Sequence, residues 1–287
     1  TPVLQLVHGG AAARPFHTHL NALDLPMTLR IALELHLKRI IVGGIDKVFE
    51  IGRVFRNEGI DSTHSGEFTM LEAYEAYGDY DTMATLTRDL VVDAARATGR
   101  TVVPDGRGAD VDLEGPWRDV TVHSAISAVV GEDVTVDTSP DRLRELADKY
   151  DVGLEDGWDS GEIVLELFEK LVEHTIVEPT FVRDYPESVR PLARPHRDSP
   201  RLAEAWDLVI AGIEVAVAYS ELIDPVIQRE RLIAQSQRAA QGDPEAMDLD
   251  EDFLRALEYG MPPAGGMGLG VDRLVMLLTG TGIRDTI

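Results

Sequence analysis

The sequence predicts an α+β fold with a mostly antiparallel sheet flanked by helices. Three observations carry that prediction. The extended runs Lys47 to Arg56 and Glu67 to Glu75 flank a polar, Gly-containing loop and read as an antiparallel pair. A second extended stretch, Trp206 to Leu222, is rich in Val, Ile and Ala and breaks at Ala211-Gly212, a candidate tight turn. Strands precede and follow helices without strict alternation, which favours α+β over α/β.

The remaining elements follow in order. Asp81 to Thr98 has a helical pattern, with Asp81 as its N-cap. Thr101 to Tyr150 is mixed and acidic, and an inserted helical or mixed segment is expected at residues 100–175. Asp159-Ser160-Gly161-Glu162 has the form of a capping box ahead of the apolar periodicity of Ile163 to Leu171. Asp224-Pro225 reads as an N-cap with Pro at the first helical position, opening a helix to Ala240. Asp250 to Tyr259 suggests a short helix. Glycines then cluster before Asp272-Arg273, where an apolar stretch begins a final helix.

A length of 287 residues with 44% hydrophobic content supports a sizeable core. No apolar run approaches the roughly 18 residues of a membrane-spanning helix, and no signal peptide pattern opens the chain. The absence of Cys removes disulfides, thiolate catalysis and zinc–thiolate sites, and is compatible with a cytoplasmic setting. The net charge of −24 sits awkwardly with nucleic-acid binding, which draws on Lys and Arg contacts to phosphates. It reads either as a solvated acidic surface or as a sign that a segment docking a nucleic acid is missing, or that nucleic acid is not the partner.

Four groups of residues suggest chemistry. Strand alternation puts Arg56 and Glu58 on one face, and Phe68, Met70, Glu72 and Tyr74 on one face of the partner strand. If the two faces coincide, one surface presents an arginine, carboxylates, an aromatic ring and a phenol; the competing reading is a solvated strand face. Arg56 can fork to a carboxylate or an α-phosphate. Second, Gly266, Gly268 and Gly270 allow close backbone approach, with Arg273 near a helix N-terminus that favours anions. The glycine run is neither a Walker loop nor a dinucleotide fingerprint. Third, a turn at Ala211-Gly212 sets Val209 opposite Glu214, with Asp207 diagonal to it, so both acids share a face. Such a pair suits magnesium, or is simply a pair of exposed strand acids. Fourth, Tyr219 and Glu221 share parity and can face one pocket.

The segments Phe55-Arg56-Asn57-Glu58-Gly59 to His64-Ser65-Gly66-Glu67-Phe68-Thr69-Met70-Leu71-Glu72, and Gly266-Met267-Gly268-Leu269-Gly270-Val271-Asp272-Arg273-Leu274, resemble motifs 2 and 3 of the class II aminoacyl-tRNA synthetases. The surrounding sequence resembles the lysyl enzyme over nearly all 287 residues, so residues 1–287 are expected to form a class II catalytic domain. The resemblance implies ATP, magnesium and L-lysine as ligands and tRNA(Lys) as acceptor. It also implies two copies of the chain as the working unit.

Residue roles follow from the resemblance. Arg56 would stabilise the α-phosphate as the amino-acid carboxylate attacks, and also contact that carboxylate. Glu58 and His64 match adenine and triphosphate contacts, although His64 alone reads as an ordinary loop histidine. Phe68 matches the ring that stacks on adenine. Arg273 matches the γ-phosphate contact, and Gly270 lies close to the nucleotide. Asp207 and Glu214 match magnesium and nucleotide ligands. Glu72, Tyr74 and Glu221 match the residues around the lysine ammonium, Tyr219 the aromatic wall, Glu34 the α-amino contact and Gly10 a backbone contact to substrate. An apolar wall with acids at its end suits a lysine stem and head, and unpaired acids would reject neutral side chains.

The chain departs from the family pattern in several places. Thr1-Pro2 resembles the last residues of motif 1, so the dimerising motif 1 helix and the anticodon-binding barrel are expected to be absent, weakening tRNA binding and the family's usual dimer. Val217 stands where an asparagine is usual, Ile213 where an arginine is usual, Leu33 for a proline and His36 for an aromatic residue. Arg194-Pro195-His196-Arg197 and Tyr219 to Val226 look closer to an actinobacterial subgroup. In that subgroup the synthetase is fused to a membrane domain that puts lysine on phosphatidylglycerol. The chain would then be the cytoplasmic domain of a membrane-anchored fusion. Two other readings stand beside this one. The first is a paralogue activating another amino acid for a different acceptor, which Val217 and the charge favour. The second is a regulatory module without catalysis, against which Arg56, Glu72, Asp207, Glu214, Glu221 and Arg273 all speak.

Overall fold

The computed structural model describes residues 1–240, 242–243 and 245–286. In chain order the strands are β1 (Leu4–Gln5), β2 (His17–Leu20), β3 (Leu25–Leu29), β4 (Lys47–Phe55), β5 (Glu67–Ala76), β6 (Val102–Pro104), β7 (Asp110–Asp112), β8 (Arg118–Thr121), β9 (Thr180–Arg183), β10 (Ala205–Ile210), β11 (Ile213–Ser220) and β12 (Ala264–Gly270). The helices are α1 (Glu34–Val42), α2 (Tyr80–Thr98), α3 (Val122–Val130), α4 (Pro140–Lys149), α5 (Ser160–Leu171), α6 (Pro225–Ala240), α7 (Glu251–Glu258) and α8 (Val271–Thr279). The architecture is α+β, as the sequence predicts.

The chain forms two compact units. One comprises Thr1–Asp79, Glu221–Met276 and Thr281–Ile287. Its central strands run in the order β4, β5, β12, all antiparallel. The register pairs Val54 with Phe68, Gly52 with Met70, Glu50 with Glu72 and Val48 with Tyr74. A small antiparallel sheet of β1, β3 and β2 accompanies them. Ile31, Leu33, Leu37, Ile41, Phe253 and Leu254 are among its fully buried side chains.

The other unit comprises Tyr80–Ser220 and Leu277–Gly280. Here β11, β10 and β9 are antiparallel and β8 joins β9 in parallel. Ile126, Leu146, Ile163, Leu167, Phe168 and Tyr185 lie in its core. The segment that reads as mixed resolves into the β6–β7 hairpin, β8, α3 and α4. Its helices are set by local signals. Asp159 caps α5 through the Gly161 and Glu162 amides, and Glu162 returns a bond to the Asp159 amide. Such a cap stabilises a helix by about 1 kcal/mol. Ala211 and Gly212 both take left-handed backbone (φ 53° and 74°), the geometry of a two-residue hairpin turn.

One expectation needs correction, and one segment gains a definite form. Asp81 lies inside the first turn of α2 rather than before it, and its carboxylate binds the Arg183 guanidinium at 2.6 Å. The glycine cluster is a strand, β12, and it is almost wholly buried. Glycine disfavours strands, so composition hides this one; its reason lies in what packs over it.

Candidate active site

The first unit's site is built on the face shared by β4, β5 and β12. Arg56 follows β4 directly and keeps its alternation. Its guanidinium lies 5.2 Å from the Phe68 ring centroid and its Nε donates to the Ile31 carbonyl at 3.3 Å. One face of Phe68 is thus covered by a cation that favours an aromatic face. Glu58 does not share this face. The strand ends at Phe55, and Glu58 Oε1 accepts the backbone N–H of Arg14 at 3.1 Å in the exposed loop.

The same loop carries His64. Asp61 accepts the backbone N–H groups of Thr63 and His64 at 2.7 and 2.8 Å, and its second oxygen meets His64 Nδ1 at 2.9 Å. His64 Nε2 lies 3.1 Å from an Arg273 guanidinium nitrogen, which must be the donor. The pattern assigns the proton of His64 to Nδ1, directed at Asp61. Motif 2 and motif 3 side chains therefore meet here.

Deeper in this unit three carboxylates gather. Glu72 is 3% exposed; Oε1 accepts the Leu33 N–H at 2.8 Å and Oε2 the Tyr74 hydroxyl at 3.0 Å. Burial pushes its carboxyl up to about 7, with the Glu34 charge adding to the rise. Burial also raises Glu34 and Glu221, against the pull of the Lys38 ammonium. Lys38 is fully buried. Its Nζ binds Glu34 Oε1 and lies 2.5 Å from Glu221 Oε2. Burial opposes its charge, but Glu221 and Glu34 outweigh that and raise its pKa. Gly10, with φ of 92°, packs against Glu34: an added Cβ would sit 3.2 Å from the Glu34 Cβ.

The glycines of β12 make this cluster possible. Gly266, Gly268 and Gly270 stand opposite Tyr74, Glu72 and Met70, on the crowded face. A Cβ on Gly266 would fall inside both Glu221 Oε1 and the Tyr74 ring. Gly270 has the Arg273 side chain at ordinary contact distance.

The second unit holds the other acidic pair. Val209 pairs with Glu214, as expected, and Asp207 pairs with Val217 across a register shift at Leu208/Val209. Asp207 is not an exposed strand acid: it is 4% exposed. Burial raises its carboxyl; the Arg190 cation lowers it and the Glu214 charge raises it, so the two acids are close enough to interact. Arg190 binds Asp207 Oδ2 at 2.6 Å and stacks 4.2 Å from the Tyr185 ring centroid. Asp207 Oδ1 is buried, and the Tyr185 hydroxyl beside the carboxylate also favours its charged form. Val217, with no donor, faces it across the ladder. Tyr219 packs against this unit's core. Arg194 and Arg197 clamp the buried Glu204 at 2.5 and 2.6 Å.

Lys38 and Arg190 are absent from the sequence reading. Lys38 had a visible signal, its position one helical turn after Glu34. Nothing in the sequence separates Arg190 from other arginines.

The sequence matches the tRNA synthetases class II (D, K and N) over residues 1–287. The chain belongs to this family. Its α+β architecture is that of a class II synthetase. The chain is 57% identical to the lysylphosphatidylglycerol biosynthesis bifunctional protein LysX of Nocardia farcinica. It is 55% identical to that of Mycolicibacterium gilvum and 54% identical to that of Mycobacterium marinum. Each match covers 100% of this chain and 26% of the relative, so the chain spans about a quarter of the proteins it matches. Among the described residues no helix is long and apolar enough to cross a membrane.

Proposed function

We propose that this domain activates L-lysine with ATP to lysyl-adenylate and passes the lysyl group to tRNA(Lys). The observation that carries the reading is the buried carboxylate cluster of Glu34, Glu72 and Glu221 beside Arg56, in a chain of this family. A lysine carboxylate oxygen attacks the ATP α-phosphorus, the bond to the β-phosphate breaks, and pyrophosphate leaves with the electron pair. Arg56 stabilises the charge that builds on the α-phosphate. A tRNA 3′-terminal hydroxyl then attacks the acyl carbon and AMP departs. Positioning and charge supply the rate, with no covalent enzyme intermediate.

Arg273, steadied by His64, suits the γ-phosphate. Asp207 and Glu214 suit magnesium. A buried carboxylate with a second carboxylate close enough to interact fits a hard cation. Among the described residues no three His, Asp or Glu side chains form a metal cage, so the ion would rely on water and phosphate oxygens. When bound, it neutralises phosphate charge.

The names of the LysX relatives support lysine as the amino acid and lysylphosphatidylglycerol formation as the use of the charged tRNA. ATP–pyrophosphate exchange across the twenty amino acids, with magnesium, tests the reading. Exchange confined to lysine is expected. Exchange with a different amino acid overturns it. Glu221→Gln should weaken lysine much more than ATP.

A further inference from the structure

We propose that Lys38 is a positioning residue for amino-acid recognition: its buried ammonium ties Glu34 to Glu221 and trims the negative charge of the pocket to suit a substrate of net charge +1. The inference rests on the lysine reading above and deepens it.

The two acids come from distant places, the first turn of α1 and the residue after β11. Lys38 is one turn beyond Glu34 and is fully buried. It takes Oε1 of Glu34 and Oε2 of Glu221. An ammonium is expensive to bury unless it is paired, and two carboxylates pair it. Among the described residues Glu221 Oε1 is left buried without a hydrogen bond. That oxygen faces Gly266, on the side where the missing Cβ leaves room. An unmet buried acceptor is costly in the empty protein, so its retention points to a donor supplied from outside. Glu72 is held differently, with both oxygens on neutral donors, the Leu33 amide and the Tyr74 hydroxyl.

The charges give the second argument. Once an incoming cation draws the three raised carboxyls into their ionised form, they face Lys38 and Arg56 and leave one negative charge. Free lysine, with two ammonium groups and one carboxylate, neutralises it. Without Lys38 the deficit doubles, and a dication without a carboxylate becomes the better match. Cadaverine, which is decarboxylated lysine, has that charge.

The test uses the full-length protein, with Lys38→Met and Lys38→Arg, in lysine-dependent ATP–pyrophosphate exchange with cadaverine as inhibitor. Lys38→Met should raise the lysine KM roughly ten- to hundredfold through misplaced acids. The ATP KM should hold, and the ratio of cadaverine Ki to lysine KM should fall. Lys38→Arg should keep that ratio near wild type, because the charge is kept. An unchanged lysine KM and unchanged ratio in a folded Met variant overturn the proposal. Loss of fold in both variants overturns it in favour of a purely structural ion pair. If only the Met variant fails to fold, a shifted ratio in Lys38→Arg overturns it as well. Absence of lysine-dependent exchange in the wild type instead removes the lysine reading itself.

Discussion

His64 accepts a hydrogen bond from Arg273 at 3.1 Å while its other ring nitrogen faces Asp61 at 2.9 Å. Residues 209 positions apart in sequence are thereby linked through an imidazole fixed in one tautomer. The guanidinium that suits a phosphate is aimed before any nucleotide arrives. His64→Ala should leave Arg273 without this support and raise the ATP KM by roughly fivefold, the equivalent of about 1 kcal/mol. The lysine KM should not move. Equal effects on both substrates would assign His64 a general structural role instead.

Gly266 makes a second prediction. A methyl group there collides with Glu221 and Tyr74. Overpacking of this kind costs about 1–3 kcal/mol, so Gly266→Ala should lower the melting temperature and abolish lysine-dependent exchange. Gly270→Ala meets only ordinary contacts with Arg273, and its fold should survive. Thermal unfolding of the two variants side by side decides; equal stability would show that Glu221 moves aside freely.

The contrast between these glycines shows where sequence reading stops. The β4–β5 pair, the hairpin turn, the caps of α5 and α6 and the short helix α7 are legible because each depends on neighbours in sequence. β12 is not, since a glycine strand makes sense only once Tyr74 and Glu221 are in place above it. The position of Lys38, one turn after a glutamate, normally marks a solvated helix face. Its meaning comes from Glu221, which is contributed by a segment 183 positions later. Glu58 is the opposite case: it lies three residues past the end of β4, where strand alternation no longer holds.

The buried carboxyls predict a pH dependence. Glu72 has its carboxyl near 7 in the folded protein, against an ordinary 4.5. Between those values the folded protein binds more protons than the unfolded chain, so this residue's contribution to stability falls as pH rises through that window. The loss is on the order of 3 kcal/mol when complete. On the proposed reading lysine would favour the ionised form, so it should raise the melting temperature more at about pH 8 than at about pH 6. Glu72→Gln should flatten the slope between about pH 5 and pH 7. An identical slope in the variant would remove Glu72 as its source.

Self-association of the domain is expected on the β4 side of the first unit. Phe49 and Ile51 are 69% and 56% exposed on the outward face of β4, and Ile45 before the strand is 53% exposed. Adjacent apolar groups of this size commonly mark an interface. The family resemblance makes a second copy of this chain the natural partner. Phe49→Asp with Ile51→Asp should convert a dimer to a monomer in sedimentation, with the fold retained by circular dichroism. A wild-type protein that is monomeric at assay concentrations would remove this surface from the account.

Arg190 and Asp207 give the last prediction. Both are largely buried and 2.6 Å apart, and Tyr185 covers the guanidinium. Removing the cation leaves Asp207 beside Glu214 with its negative charge uncompensated. Arg190→Met should therefore cost on the order of 3–5 kcal/mol, as breaking one side of a buried pair does. Magnesium would bring back positive charge. The melting temperature of the Arg190→Met variant should rise with added magnesium more than that of the wild type, whose Asp207 already has a partner. Asp207→Asn in the same background should abolish the extra response. If the Asp207→Asn variant keeps the magnesium response, the ion does not bind at Asp207, and the assignment of Asp207 and Glu214 as its ligands fails while the proposed lysine site of the first unit is left to its own tests.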